Sequence, residues 1–115
     1  MLWLAEFSFL FARNFARTDD VPNTVACMTR IVHYLVQALF ALNETYFLND
    51  KRVLNEIATF AKKPVNFGPR LSAVLAAPGK DADALGASLD RLLMIFAEVI
   101  ALTAGAYKPR FATAS

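Results

Sequence analysis

Residues 23–47, NTVACMTRIVHYLVQALFALNETYF, are the stretch that decides the fold of this chain. Apolar side chains recur in it at steps of three and four, so at 100° per residue they fall on one broad face of a helix. That face is lined by Ile31, Leu35, Ala38, Leu39, Leu42 and Tyr46. The stretch therefore predicts one long amphipathic helix that packs against other helices.

The chain before this helix predicts another helix, over residues 2–17. It is rich in Phe and closes with Arg13 and Arg17, two cations that suit the negative end of a helix dipole. A turn with carboxylates and Pro22 follows. Such residues are preferred at the start of a helix.

The chain after it predicts three more helices. Asn49 and Asp50 supply a cap for a helix over residues 51–61, a short helix follows Asn66, and the last spans residues 81–104. The apolar seam of the last helix is Leu85, Leu89, Leu92, Phe96, Val99 and Thr103.

No segment alternates with a period of two, so the helical period is the only one that recurs. The predicted fold class is all-α, an antiparallel up-and-down bundle of about five helices, three long and two short. Residues 1–108 form its single domain, and residues 109–115 are expected to be a flexible tail.

The composition predicts an exposed apolar surface. Hydrophobic residues make up 57% and charged residues 19% of the chain, against about 50% and about 25% in typical soluble domains. A small domain leaves much of its side-chain area outside, so the surplus indicates a partner, a second subunit or a neighbouring domain. An unusually well-packed monomer is the alternative.

The charge and the cysteine content limit the classes of partner and the cellular compartment that we expect for this chain. The 12 basic and 10 acidic residues are scattered without an extended basic cluster, so we expect no nucleic-acid partner. The single cysteine, Cys27, fits a reducing compartment and the interpretation of a small buried hydrophobe. The N-terminus lacks the basic region and cleavage site of a signal peptide, and residues 92–106 are too short for a membrane span. We therefore expect a cytoplasmic protein without a membrane partner.

The sequence predicts no catalytic or metal-binding residue. It contains no Gly-rich phosphate loop after a strand, and one histidine and one cysteine do not supply a zinc site of the usual spacing. It also has no paired carboxylates near a Gly-Ser turn, the arrangement that holds magnesium in nucleotidyl transfer. We therefore expect no cofactor in this chain.

One polar stripe runs along the long helix. Arg30, His33, Gln37 and Glu44 fall within about 60° of one another at 100° per residue. Such a stripe is typical of a solvated face or of polar groups that pair across a bundle. The functional interpretation is a ligand-facing groove, in which Arg30 binds an anion, His33 transfers a proton and Glu44 binds a cation or a hydroxyl proton.

Arg30 and His33 also invite comparison with the helical HEPN ribonuclease family, whose motif places four to six residues between an Arg and a His. Here Ile31 and Val32 are the only residues between them. This departure argues against RNA cleavage.

A second polar group follows at Asn43, Tyr46, Asn49, Asp50 and Lys51. It is explained by a corner, in which Asn49 or Asp50 caps the next helix and Asn43 ties the loop to the helix end. The functional alternative puts Tyr46 and Lys51 at the rim of a site shared with another domain.

Trp3, Phe7, Phe11 and Phe15 follow one another at a spacing of four on the first helix. Such a stripe is typical of core, yet on a terminal helix it suits the docking of a partner equally well.

Three runs carry a family resemblance: FLFARNFARTDDV at residues 9–21, ACMTRIVHYLVQALFALNETYFLNDK at residues 26–51 and FGPRLSAVLAAPG at residues 67–79. They resemble the helical C-terminal region of bacterial nucleotidyltransferase-domain proteins. In that family the region follows a catalytic domain of the kanamycin-nucleotidyltransferase and polymerase-beta type.

The resemblance implies a bundle that packs on the catalytic domain and closes over the acceptor substrate. Magnesium and a nucleoside triphosphate then belong to the catalytic domain, and this chain alone is catalytically incomplete. In the antibiotic-modifying relatives a carboxylate of the helical domain acts near the acceptor hydroxyl, and Glu44 is the candidate for it here.

The sequence thus predicts an accessory domain whose partner is a nucleotidyltransferase catalytic domain, a second copy of itself, or both. Its expected substrate-binding residues are Arg30, His33, Gln37, Glu44, Tyr46 and Lys51. The alternative function is a structural dimerisation bundle without a ligand.

Overall fold

Helices make up the regular structure of residues 2–45 and 52–109, the part of the chain that this computed structural model describes. In chain order they are α1 (Leu2–Arg17), α2 (Val21–Leu42), α3 (Val53–Ile57), α4 (Phe67–Ala76) and α5 (Ala82–Leu102). The predicted all-α class, with three long and two short helices, is confirmed. The predicted tail at residues 109–115 lies, except for Pro109, outside the described residues.

A tight turn joins α1 to α2 and sets them antiparallel. Asp19 takes a left-handed conformation with φ of 58°, and Asp20 caps α2 by accepting a hydrogen bond from the Asn23 backbone amide at 3.2 Å. The carboxylate of Asp19 accepts another from the Ala82 amide at 2.6 Å. The carboxylates predicted to start α2 therefore also fix the start of α5.

Helix α5 runs antiparallel to α1. Near its start Ala82 meets Asp19, and two turns further on Asp90 forms an ion pair of 2.7 Å with Arg13 of α1. Asp81 caps α5 through the Ala84 amide at 2.9 Å. Gly79, with φ of 123°, makes the break before it, and a Cβ there would lie 2.7 Å from Ala84.

The core lies where α1, α2 and α5 meet, with α4 and the end of α3 closing it. The largest fully buried side chains are Phe9, Met28, Ile31, Leu35, Leu39, Phe40, Ile57, Leu71, Leu85, Leu89, Leu92 and Phe96. The predicted seam of α5 is buried from Leu85 to Val99, whereas Thr103 is half-buried beyond the helix end. Cys27 is buried, as expected.

Helix α2 ends at Leu42, so the prediction that it continues to residue 47 was wrong. Asn43 stops it: its side-chain amide donates to the Leu39 carbonyl at 2.7 Å and to the Lys62 carbonyl at 2.8 Å. Its side-chain oxygen accepts from the Lys62 amide at 3.0 Å. Glu44 follows in a left-handed conformation with φ of 53°, which ends a helix.

Helix α3 is also shorter than the predicted span of residues 51–61. Its N-cap is Arg52 and it ends at Ile57, because Phe60 leaves the helix and packs edge-on against Phe40, with ring centroids 5.0 Å apart. The predicted caps, Asn49 and Asp50, lie outside the described residues.

Helix α2 is long and apolar enough to cross a membrane by length and composition. The core helix of a soluble protein passes the same test. Met28, Ile31, Leu35 and Leu39 are fully buried between α2 and its neighbours, and 44% of the most apolar 18-residue window of α2 is buried.

Candidate functional site

Three of the predicted site residues lie together on the outer side of α2. Arg30 and His33 are exposed and Gln37 is half-buried. The Nε2 atoms of His33 and Gln37 are 2.5 Å apart, so the imidazole nitrogen accepts from the amide when Nδ1 carries the proton. We call Arg30, His33 and Gln37 the polar trio.

Arg30 also reaches back along its own helix. One guanidinium nitrogen lies 3.9 Å from the Cys27 sulfur. Burial raises the pKa of the Cys27 thiol, and the nearby positive charge of Arg30 partly opposes this. The thiol is therefore held neutral, and the charge of Arg30 is not cancelled by it.

Glu44 does not continue the stripe along α2, because the helix ends before it. Its backbone amide donates to the Ala41 carbonyl at 3.1 Å, and its side chain is exposed in the turn. The placement of Glu44 on the helix face was therefore wrong. Tyr46 and Lys51, the remaining predicted site residues, lie outside the described residues.

The polar trio offers one cation, one imidazole and one amide. Arg30 can bind an anionic or carbonyl group, His33 can exchange a hydrogen bond or a proton, and Gln37 can fix the imidazole orientation. Within residues 2–45 and 52–109, no three His, Cys, Asp or Glu side chains group closely enough to hold a metal ion. The trio is thus equipped for binding contacts.

The corner interpretation of Asn43 agrees with the structure. Its side chain spans from the end of α2 to the Lys62 backbone, 19 residues along the chain. The other four residues of that polar group lie outside the described part of the chain.

A cavity of about 510 Å³ lies between α3 and the start of α4. Leu54, Ile57 and Phe67 give it apolar walls, and Lys63 lies at its edge. The Lys63 ammonium donates to the Phe60 carbonyl at 2.8 Å. No pattern in the sequence indicates this cavity, since its walls come from two short helices and the loop between them.

The polar pair of Glu6 and Tyr107 was also missed. Glu6 is fully buried, and the Tyr107 hydroxyl donates a hydrogen bond to its carboxylate. A signal existed in the sequence, because Glu6 is the one charged residue among the first 12.

The aromatic stripe of α1 divides between surface and core. Trp3, Phe7 and Phe11 are 50%, 40% and 48% exposed, and Phe15 is half-buried against the core. Phe9, on the opposite side of the helix, is the fully buried ring. We call Trp3, Phe7 and Phe11 the aromatic face; it confirms the exposed apolar surface that the composition predicts.

Comparisons with known proteins identify no relative. No protein-family model matches the chain, and neither a curated protein nor a solved structure matches it significantly. The resemblance to nucleotidyltransferase proteins therefore stays a prediction from the sequence.

Proposed function

We propose that this chain is an accessory helical domain that packs beside the catalytic domain of a nucleotidyltransferase and contributes contacts to the acceptor substrate. The observation that carries the proposal is the polar trio on the outer side of α2. It lies within residues 26–51, one of the three runs that carry the family resemblance.

The proposal divides the work between two domains. The catalytic domain would hold magnesium and the nucleoside triphosphate, in the cytoplasm. The trio would form the bundle's side of the acceptor groove, where Arg30 binds a polar group of the acceptor and Gln37 orients His33 toward it. Glu44, Tyr46 and Lys51 follow the end of α2 in the sequence and would contribute at the end of the same groove.

The test uses the protein that contains both domains. We expect its gene to encode a Gly-Ser turn followed by paired aspartates upstream of this chain. In the other arrangement, an adjacent gene encodes them. In that protein Arg30→Ala should raise KM for the acceptor about ten-fold, equivalent to about 1.4 kcal/mol of lost binding, and leave KM for the nucleotide unchanged.

Thr29→Ala is the matched control, since Thr29 is exposed on the same helix one residue away and bonds only its own helix, at the Val25 carbonyl. If Arg30→Ala and His33→Ala both leave the acceptor kinetics unchanged, the trio is not part of the acceptor site. If neither the upstream reading frame nor an adjacent gene encodes a catalytic domain, the proposal as a whole is contradicted.

A second candidate function is a structural dimerisation bundle without a ligand, and the aromatic face favours it. If the chain has that function, calorimetry with nucleotides and acceptors should show no binding, while light scattering should show a dimer. Binding that Arg30→Ala abolishes would exclude it.

A further inference from the structure

The cavity between α3 and α4 has the size of a small-molecule site. Its volume of about 510 Å³ falls within the range of about 300–1,000 Å³ that is typical of ligand pockets. None of the described residues that line it belongs to the polar trio of α2 or to the aromatic face of α1. The cavity is therefore a candidate binding site of its own.

Apolar side chains form the walls of this cavity. Ile57 of α3 and Phe67 of α4 line it and are buried, and Leu54 lines it with 36% of its surface exposed. Ala58 and Pro69 add further apolar atoms. Free energy is gained when an apolar group displaces water from such walls. A ligand of this cavity should therefore have an apolar body.

Lys63 gives the cavity a positive charge at its edge. Its ammonium has three N–H donors, and one of them is used on the Phe60 carbonyl at 2.8 Å. In the part of the chain that the structure describes, no Asp or Glu lines the cavity and Lys63 forms no ion pair. The charge of Lys63 is thus available to an anionic group of a ligand.

Neutral polar groups lie around the same cavity. Asn66 is the N-cap residue of α4, and its side chain makes no capping hydrogen bond. Asn55 and Ser72 also line the cavity and are exposed. A phosphate is commonly bound by the bidentate fork of arginine, and no arginine is among the described residues that line the cavity. A lysine with neutral donors beside it suits a carboxylate better.

From the volume, the apolar walls and the charge of Lys63, we propose that the cavity between α3 and α4 binds a small carboxylate with an apolar body. The carboxylate lies at Lys63, and the body lies against Leu54, Ile57 and Phe67. A ligand of about ten non-hydrogen atoms is expected to reach a Kd of roughly 0.1–1 mM there. The proposal does not depend on the acceptor-binding function of the polar trio.

Titration of the 115-residue chain with octanoate, followed through the backbone amide signals in NMR spectra, tests the proposal. We expect the largest shifts at Leu54, Lys63 and Gly68. Acetate carries the charge without the apolar body, and 1-octanol carries the body without the charge. Each of these two probes should bind at least about ten-fold more weakly than octanoate.

Substitutions at Lys63 test the role of the charge. Lys63→Met removes the charge and keeps a side chain of similar length, so it should weaken octanoate binding about ten-fold and leave 1-octanol binding unchanged. Lys63→Arg keeps the charge and should retain octanoate binding. Lys62→Met is the matched control, because Lys62 is the adjacent lysine, is exposed and is not among the residues that line the cavity. It should bind octanoate as the wild type does.

Gly68→Ala separates binding from folding. A Cβ at Gly68 would lie 3.6 Å from the Cβ of Leu54, which is an ordinary contact. The added methyl group therefore takes up space at the wall of the cavity without a clash, and alanine is favoured over glycine in a helix. The substitution should weaken octanoate binding several-fold, while the midpoint of thermal unfolding stays unchanged or rises.

Three results would each overturn the proposal. The first is the absence of octanoate binding at about ten times the expected Kd. The second is equal affinity of the wild type for octanoate and 1-octanol, a comparison that needs no variant to fold. The third is a set of shifts centred on Trp3 and Lys108, which would show that octanoate binds beside α1 instead. Circular dichroism checks the folding of every variant, and unchanged octanoate binding in a folded Lys63→Met also contradicts the proposal.

Discussion

The hydroxyl of Tyr107 donates a hydrogen bond to the carboxylate of Glu6, across 101 positions of the chain. The chain reverses after α5 through Ala104 and Gly105, with φ of 53° and 89°, and this brings Tyr107 to the first turns of α1. Glu6 is fully buried, and a buried carboxylate is costly unless it is hydrogen-bonded. The segment after α5 is therefore part of the fold.

Tyr107→Phe should lower the free energy of unfolding by about 1–3 kcal/mol, because it removes a hydrogen bond from a buried charged or polar group and keeps the ring. Urea denaturation measures the change. Lys108→Ala, at an exposed neighbouring position, is the control and should stay within about 0.5 kcal/mol of the wild type. Equal stability of Tyr107→Phe and the wild type would show that the bond contributes nothing.

The two sides of α1 give the second prediction. Phe9 is fully buried and its ring lies 5.4 Å from that of Phe96, so Phe9→Ala should cost about 3–5 kcal/mol. Phe7→Ala, two residues away and 40% exposed, should cost less than about 1.5 kcal/mol when measured at concentrations where the chain is monomeric. Thermal and urea unfolding of the pair measure the difference, and equal losses would contradict the assignment of the inward side.

Periodicity was enough for most of the fold and for little of the site. It placed α1 and the seam of α5 correctly, since each buried face repeats at steps of three and four. It did not tell which side of α1 faces inward, because both sides are apolar. It also did not identify Lys62 as the partner of Asn43 or Tyr107 as the partner of Glu6, since each pair joins positions far apart in the chain.

The ion pair of Arg70 and Glu98 gives a pH prediction. The two guanidinium nitrogens of Arg70 donate to the two carboxylate oxygens of Glu98 at 2.8 and 2.5 Å, joining α4 to α5. These hydrogen bonds lower the pKa of Glu98 below its ordinary value of 4.5. They also raise the pKa of Arg70 above its ordinary value.

Because the pKa of Glu98 is lower in the folded state, the unfolded chain binds the proton more readily, and the pair stabilises the fold above the ordinary pKa of the carboxyl. That stabilisation should be lost as the pH falls below about 4.5 and through the folded pKa. It should amount to no more than about 1 kcal/mol, since both side chains are partly exposed.

Urea denaturation from pH 7 to pH 3 measures the loss. Glu98→Gln should show a smaller decrease in stability on the acid side than the wild type, whereas Glu56→Gln on α3 should follow the wild type. If stability falls with decreasing pH in Glu98→Gln as much as it does in the wild type, the ion pair is not the source of the loss.

The end of α2 gives the last prediction, in which the sign of one substitution decides between two conformations. Glu44 has φ of 53°, a left-handed conformation that costs a residue with a side chain about 1 kcal/mol and glycine almost nothing. Glu44→Gly should therefore leave the free energy of unfolding unchanged or raise it by up to about 1 kcal/mol. If α2 instead continued through residue 44, the same substitution would lower it by about 1 kcal/mol. Ala41→Gly is the matched control, because Ala41 is exposed in the last turn of α2 and the substitution should lower the stability of the protein. Urea denaturation of both variants measures the sign of the change. If Glu44→Gly loses as much stability as Ala41→Gly, the helix end at Leu42 is contradicted.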